Sequence, residues 1–217
     1  LDAEGNVILD NAINVKTLQY LKDLLNSGAA IAAPGGFHHS EEYYGFMNDE
    51  GAASIWMPMW YMGRFTDYMP DLAGKMLILP MPRWTPDGMR SAGMGGTGTS
   101  VTNQAKDIEL TKDFLMFAKG SEEGNLRIWE DLGFDPPRWD VWDNPRMNAP
   151  NKYTDYFLNE DIFGMLLEIK DEINSVNIKE KLPAVIDRLK STVMIQALQQ
   201  QTKTPAEALR EAADLAR

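Results

Sequence analysis

Residues 51–65, GAASIWMPMWYMGRF, place three large rings, Trp56, Trp60 and Tyr61, within six positions of one apolar run. Such rings offer a flat apolar face, and Trp and Tyr each add one polar atom that can hydrogen-bond. The run follows small residues and ends at Gly63-Arg64, which is the pattern of a buried strand at about 52–57. Pro58 ends that strand, since proline has no N–H to give to a ladder. Trp60 and Tyr61 then stand where the strand leaves the sheet, the place where open α/β sheets bind ligands. Core packing is the usual fate of any single tryptophan in an apolar run, and Trp56, inside the strand, is read that way. Three rings beside one strand exit point to at least one of them facing a cleft.

Other chemistries find little support. There is no cysteine, hence no disulfide, no thiolate metal site and no cysteine nucleophile. His38 and His39 are adjacent, so they point in different directions, and no third ligand is suggested nearby. The glycine-rich passage 88–98, GMRSAGMGGTG, is not GxxxxGK[ST], and no Lys or Arg follows Arg90 until Lys106. The dinucleotide fingerprint GxGxxG is not matched either. The passage is read as backbone that needs close approach or positive φ. A glycosidase needs two carboxylates flanking the scissile bond. Asp135 and Asp140 are available, but no motif frames them.

The 217 residues carry 21 basic and 32 acidic side chains, a net charge of −11. That balance argues against nucleic acid and anionic membrane surfaces, which attract clustered Lys and Arg. With 44% hydrophobic residues the chain can bury a core as one large domain or two small ones. No run of eighteen apolar residues is present. The opening LDAEGN reads as a turn inside a longer chain, truncated or processed before Leu1.

The elements that must position these residues begin with a turn at 2–6 and a short edge strand at 7–9. Asn14 is expected to cap a helix to about Ser27, with Val15, Leu18, Leu21, Leu24 and Leu25 as its stripe and Gly28 as its stop. Ser40 caps a second helix, with Glu41 and Glu42 in its first turn. A second buried strand is expected at 76–79 and a further one at 99–101. Helices follow at 106–119 and from Ser121 to the stop at Gly133. Residues 134–150, FDPPRWDVWDNPRMNAP, are read as ordered loop, because Trp139 and Trp142 need something to pack on. Helices at 153–174, 182–200 and 205–216 close the chain. The last carries a capping box, with Thr204 as N-cap, Pro205 at N1 and Glu207 at N3. The fold class is α/β with excess helix.

In this order the segments resemble the C-terminal part of the family 1 extracellular solute-binding proteins, the carbohydrate receptors of ABC importers. LDAEGNVIL and VKTLQYLKDLLNSG are similar to the family's turn, short strand and helix. SEEYYGFMNDEGAASIWMPMWYMG is similar to its next helix and the segment after it, with Trp60 at the family tryptophan. MLILPMPRWTPDGMRSAGMGGTGTSV matches the family's proline- and glycine-marked layout. KDIELTKDFLMFAKGSEEGNLRIWEDLGFDPPRWDVWDNP mirrors the stretch that follows, and TPAEALREAADLAR its ending. No single motif decides; five in family order carry the resemblance. Pro137-Arg138 stands at the family's "PtR" but lacks the small residue between.

The resemblance implies a type II periplasmic-binding-protein-like C-terminal lobe, plus a segment that returns to an N-terminal lobe absent before Leu1. Residues 1–92 would be the first part of the lobe, 93–135 the crossover segment, and 136–217 the helical closing part. It implies a non-catalytic receptor with no cofactor and no metal, binding a mono- or disaccharide in a cleft between lobes. Trp60 would stack on the sugar's C–H face, and polar groups would bind its hydroxyls. Tyr61 would offer its hydroxyl or serve packing alone. Gly95 and Gly96 would let backbone approach the sugar or make the lobe crossing. Arg138 would donate to hydroxyls or stay solvated. Trp139, with Trp142, would form a second aromatic wall or anchor the loop. Asp140, Asp143 and Glu50 are weaker acceptors. The partners would be the sugar and the ABC permease, without nucleic acid or membrane insertion, and copies would associate through the face left by the absent lobe. The location would be extracytoplasmic, in the periplasm or lipid-anchored. The competing readings are a helical interaction module and a carbohydrate-active hydrolase.

Overall fold

The computed structural model describes residues 1–93, 96–174 and 177–217. Eight α-helices of seven residues or more are present among them, joined by short 3-10 turns and two π-type stretches. They form two compact units, Leu1–Ala33 with Val176–Arg217, and Pro34–Ser175.

The first unit holds α1 (Ala12–Asn26), α7 (Leu182–Arg188) and α8 (Pro205–Ala216). α7 runs on into a wider π-type stretch, Leu189–Gln199. Its core gathers Val7, Leu9, Leu18, Val193 and Leu198 against the buried Leu209, Ala208, Ala212 and Ala213 of α8. Small alanine side chains let neighbouring helices lie close. α8 starts as its residues require: Glu207 N–H donates to Thr204 Oγ1 at 3.3 Å, and Thr204 N–H donates to Glu207 Oε2 at 2.9 Å. The cap of α1 differs from expectation. It is Asn11, whose Oδ1 accepts from Asn14 N–H at 2.8 Å, so the helix begins one turn earlier. Both residues suit the position, and the one bonded to the other's N–H three residues on wins.

The second unit holds α2 (Glu41–Asn48), α3 (Met62–Tyr68), α4 (Ile108–Leu115), α5 (Glu122–Leu132) and α6 (Ile162–Ile169). Ser40 and Ser121 cap α2 and α5 as expected, and Gly133 ends α5 in a left-handed conformation at φ 68°. The interior is aromatic. Trp129 meets Phe163 edge-on at 4.8 Å and Tyr153 at 5.3 Å, while Phe65 meets Tyr61 at 5.6 Å and Phe157 at 5.8 Å. α4 buries none of its residues; Leu110 and Phe114, with Met116 and Phe117 after it, are exposed.

The expected strands did not form: among the described residues there is none, and the fold is helix-rich. An extended segment becomes a strand only when a neighbour takes its ladder hydrogen bonds. Residues 7–9 keep the in-out alternation of a strand, with Val7 and Leu9 buried and Ile8 exposed, yet they pack on helices. Residues 52–57 form no strand, with a bend at Ala53 and no bridge partner among the described residues. Residues 76–79 come nearest, through one parallel bridge from Met76 to Phe157. There the Asn159 side chain takes the place of a strand, accepting from Ile78 N–H and donating to Ile78 O, both at 2.8 Å. Residues 99–101 form no strand or bridge among the described residues. The helix expected at 153–174 is broken too. Tyr153, Tyr156 and Phe157 are buried from turns, and α6 starts only where Asp161 caps it.

Candidate functional site

Pro58 sets an extended backbone that leads directly into the 3-10 turn Met59–Tyr61 and then α3. Tyr61 is 1% exposed, and its hydroxyl donates to the His38 carbonyl at 2.6 Å. Burial, then Tyr43 and Tyr44, pushes its pKa far up, so it stays a neutral donor. With Tyr61 locked inward, its neighbour Trp60 is turned outward and left half-buried. The sequence offered Tyr61 as a ligand donor or as packing; in the structure its ring is buried and its hydroxyl is bonded to the His38 carbonyl.

Trp60 lines a cleft of about 270 Å³ together with Gly63, Arg64, Asp67, Asp131, Leu132, Phe134, Lys152 and Tyr153. Trp60, Gly63, Arg64 and Asp67 recur at helical spacing along the turn and α3, so they share one face. The facing wall comes from the end of α5, from Phe134 just past the Gly133 stop, and from Lys152-Tyr153. Lys152 Nζ pairs with Asp67 Oδ1 at 3.1 Å and lies 5.0 Å from the Tyr153 ring centre. Its hydrogen bond to Asp67 raises its pKa and keeps it charged. Asp131 pairs with Arg127 at 3.7 Å along α5. Arg64 makes no ion pair among the described residues; its guanidinium lies 5.6 Å from the Tyr68 ring centre.

Chemically the cleft combines a flat aromatic wall with two cations and two carboxylates. Those charges balance, so the cleft does not select a strongly anionic or cationic ligand. Such an arrangement is chemically able to take a neutral ring, with an indole face for C–H bonds and guanidinium, ammonium and carboxylate groups for hydroxyls. Asp135 and Asp140 do not line it.

The other expected residues lie elsewhere. Gly95 falls outside the described residues, and Gly96 is exposed with φ 119° and open space at its missing Cβ. The Arg138 guanidinium is held by Asp140 and donates to Gly120 O at 3.0 Å, so it ties the loop to the end of the π-type stretch Met116–Gly120. Trp139 is 42% exposed and leans on Trp142 at 5.4 Å. Trp142 is buried and donates from Nε1 to Pro136 O at 3.0 Å, an anchor of the loop. Glu50 pairs with Lys75 at 2.6 Å. Trp56, expected in the core, is 53% exposed, because the strand that was to bury it has no sheet. The His38 and His39 rings lie tilted by 45° with centres 4.2 Å apart, and no group of three metal-ligating side chains exists among the described residues. Arg64, Asp67, Asp131, Phe134 and Lys152 were not singled out from the sequence. The 60/63/64/67 spacing was a legible signal for the first wall; nothing local announced the second.

No family model matches the chain. It is similar to the arabinooligosaccharide-binding protein of Bacillus subtilis (strain 168), 58% identical over 213 residues, which is 98% of this chain and 49% of that protein. It is also similar to the arabinooligosaccharide-binding protein of Halalkalibacterium halodurans, 54% identical over 212 residues, 97% of this chain and 47% of that protein. The chain therefore spans about half the length of the curated relatives it matches.

Proposed function

We propose that this chain belongs to a non-catalytic carbohydrate receptor and that its ligand is an arabinooligosaccharide. The observation that carries the reading is the half-buried Trp60 indole on the wall of a cleft edged by Arg64, Asp67 and Lys152. The names of two relatives at 58% and 54% identity support the sugar class. They also move the ligand from the mono- or disaccharide expected from sequence to a short oligomer. A cleft of about 270 Å³ is at the small end of ligand sites, enough to hold one portion of such a chain while the rest extends past it.

In this reading no bond is made or broken. Asp67 and Asp131 are each engaged by a cation, which suits hydroxyl acceptors. The receptor would deliver its sugar to the permease of an ABC importer and work outside the cytoplasm. Association of copies would use the exposed apolar side of α4, and sedimentation showing only monomer at high concentration would remove that part.

The test is tryptophan fluorescence and calorimetry of this chain with arabinotriose, with maltotriose and cellotriose as controls. Saturable, arabinose-selective binding without release of reducing sugar is expected. No saturable response to any of the three would overturn the reading, and release of reducing sugar would favour a hydrolase.

A further inference from the structure

The loop before α2 packs on the Trp60 indole. The His39 ring stacks on Trp60 with centres 6.1 Å apart and planes 26° from parallel. His39 is not among the residues that line the cleft. One contact holds the imidazole and a second holds its loop. Its Nδ1 lies 3.2 Å from the hydroxyl of the buried Tyr44, and the carbonyl of neighbouring His38 accepts from Tyr61. We propose that His39 is a positioning residue for the Trp60 platform, and that its charge state tunes how tightly the cleft holds a saccharide. This rests on the receptor reading above.

The physical reason is the π-density of the indole. A sugar's C–H face is attracted to the negative face of the ring. An imidazolium stacked on the same indole draws that density toward itself, as a cation beside an aromatic face does. The groups that face His39 are His38 from its own loop, Arg64 from α3, Tyr44 from α2, and Tyr61 from the turn before α3. Arg64 also lines the cleft, so a charge on His39 repels one of the groups expected to donate to the sugar. Burial first, then His38 and Arg64, hold the His39 pKa below its ordinary 6.5. The neutral form therefore prevails at pH 7, and acid adds the charge. Tight binding belongs to the high-pH side and weakens as pH falls through the His39 titration.

The experiment has two arms on the whole chain. Without sugar, tryptophan emission is titrated from pH 7.5 to 4.5 in the wild type and in Trp60→Phe, about three pH units centred near the range of a perturbed histidine. Their difference isolates Trp60. A loss of Trp60 emission with a midpoint below the ordinary histidine value is expected. His39→Gln should remove the transition and His38→Gln should keep it. With arabinotriose, wild-type affinity should fall about two- to fivefold across the same midpoint, the size of an exposed cation–π effect, and His39→Gln should be flat. A transition that survives in His39→Gln, or vanishes only in His38→Gln, overturns the proposal. So does an equal fall in affinity with acid in wild type and His39→Gln. If no saccharide binds at any pH, the receptor reading fails, and the tuning with it; the sugar-free arm still decides whether His39 acts on Trp60. Should His39→Gln fail to fold, Tyr44→Phe, which removes the hydroxyl partner, must shift the midpoint; no shift overturns the proposal.

Discussion

The ring of Tyr153 fills the space in which a Cβ on Gly133 would stand. Gly133 also holds φ 68°, a conformation that costs an L-residue about 1–2 kcal/mol. The stop of α5 and the cleft wall are thus one contact, because Tyr153 and the residues flanking Gly133 line the cleft. Gly133→Ala should destabilise by about 2–5 kcal/mol, the left-handed cost plus overpacking. Urea denaturation checks this through a lower midpoint at an unchanged slope.

Trp60→Ala should weaken arabinotriose binding about tenfold or more, since ring stacking plus lost burial exceeds the ~1.4 kcal/mol of one decade. Trp60→Phe should lose less, because a flat face remains. Calorimetry with both variants decides it; an unchanged affinity in Trp60→Ala would remove the platform.

Gly63 lies in α3 on the cleft face, with nothing within contact distance of its missing Cβ. Gly63→Ala should keep the fold or stabilise it by up to about 0.5–1 kcal/mol, the helical preference of alanine over glycine. Gly63→Leu should fold and yet bind sugar more weakly, since its side chain occupies the cleft. Thermal melts and binding on the same preparations separate the two effects.

Asp67 and Lys152 are both about half exposed, at 51% and 54% of their side chains. Exposed pairs contribute only about 0–1 kcal/mol. Asp67→Asn should therefore leave stability within about that range while lowering sugar affinity, as a charged hydroxyl acceptor is lost. Equal losses of stability and affinity would mark the pair as structural.

Glu172 accepts from the Arg90 guanidinium at 2.6 Å and from Arg90 N–H at 2.6 Å, with Arg83 at 3.5 Å. These bonds, led by the Arg90 side chain, hold its pKa down to about 2. A folded pKa below the unfolded one gives stability above the unfolded value, lost as pH falls through the folded one. Melts of wild type and Glu172→Gln should differ most near neutral pH and converge as pH falls from about 4.5 to 2. A gap that stays constant with pH would refute this ion-pair contribution.

What the sequence determined by itself is local. Ser40, Ser121 and Thr204 start helices, and Gly133 ends one, because capping joins a side chain to a backbone N–H a few residues away. The aromatic run at 56–61 pointed to a ring facing a cleft for the same reason, being a matter of composition and spacing. Tertiary structure decided which ring. Trp56, Trp60 and Tyr61 share one apolar run, yet Tyr61 is sealed by the His38 carbonyl, Trp56 is exposed and Trp60 faces the cleft. The strands were misread because an extended segment needs a partner that no local pattern supplies. The second cleft wall, from residues 131–134 and 152–153, was invisible for the same reason. Its side chains meet Trp60 only because the aromatic interior around Trp129 and Tyr153 folds those segments together.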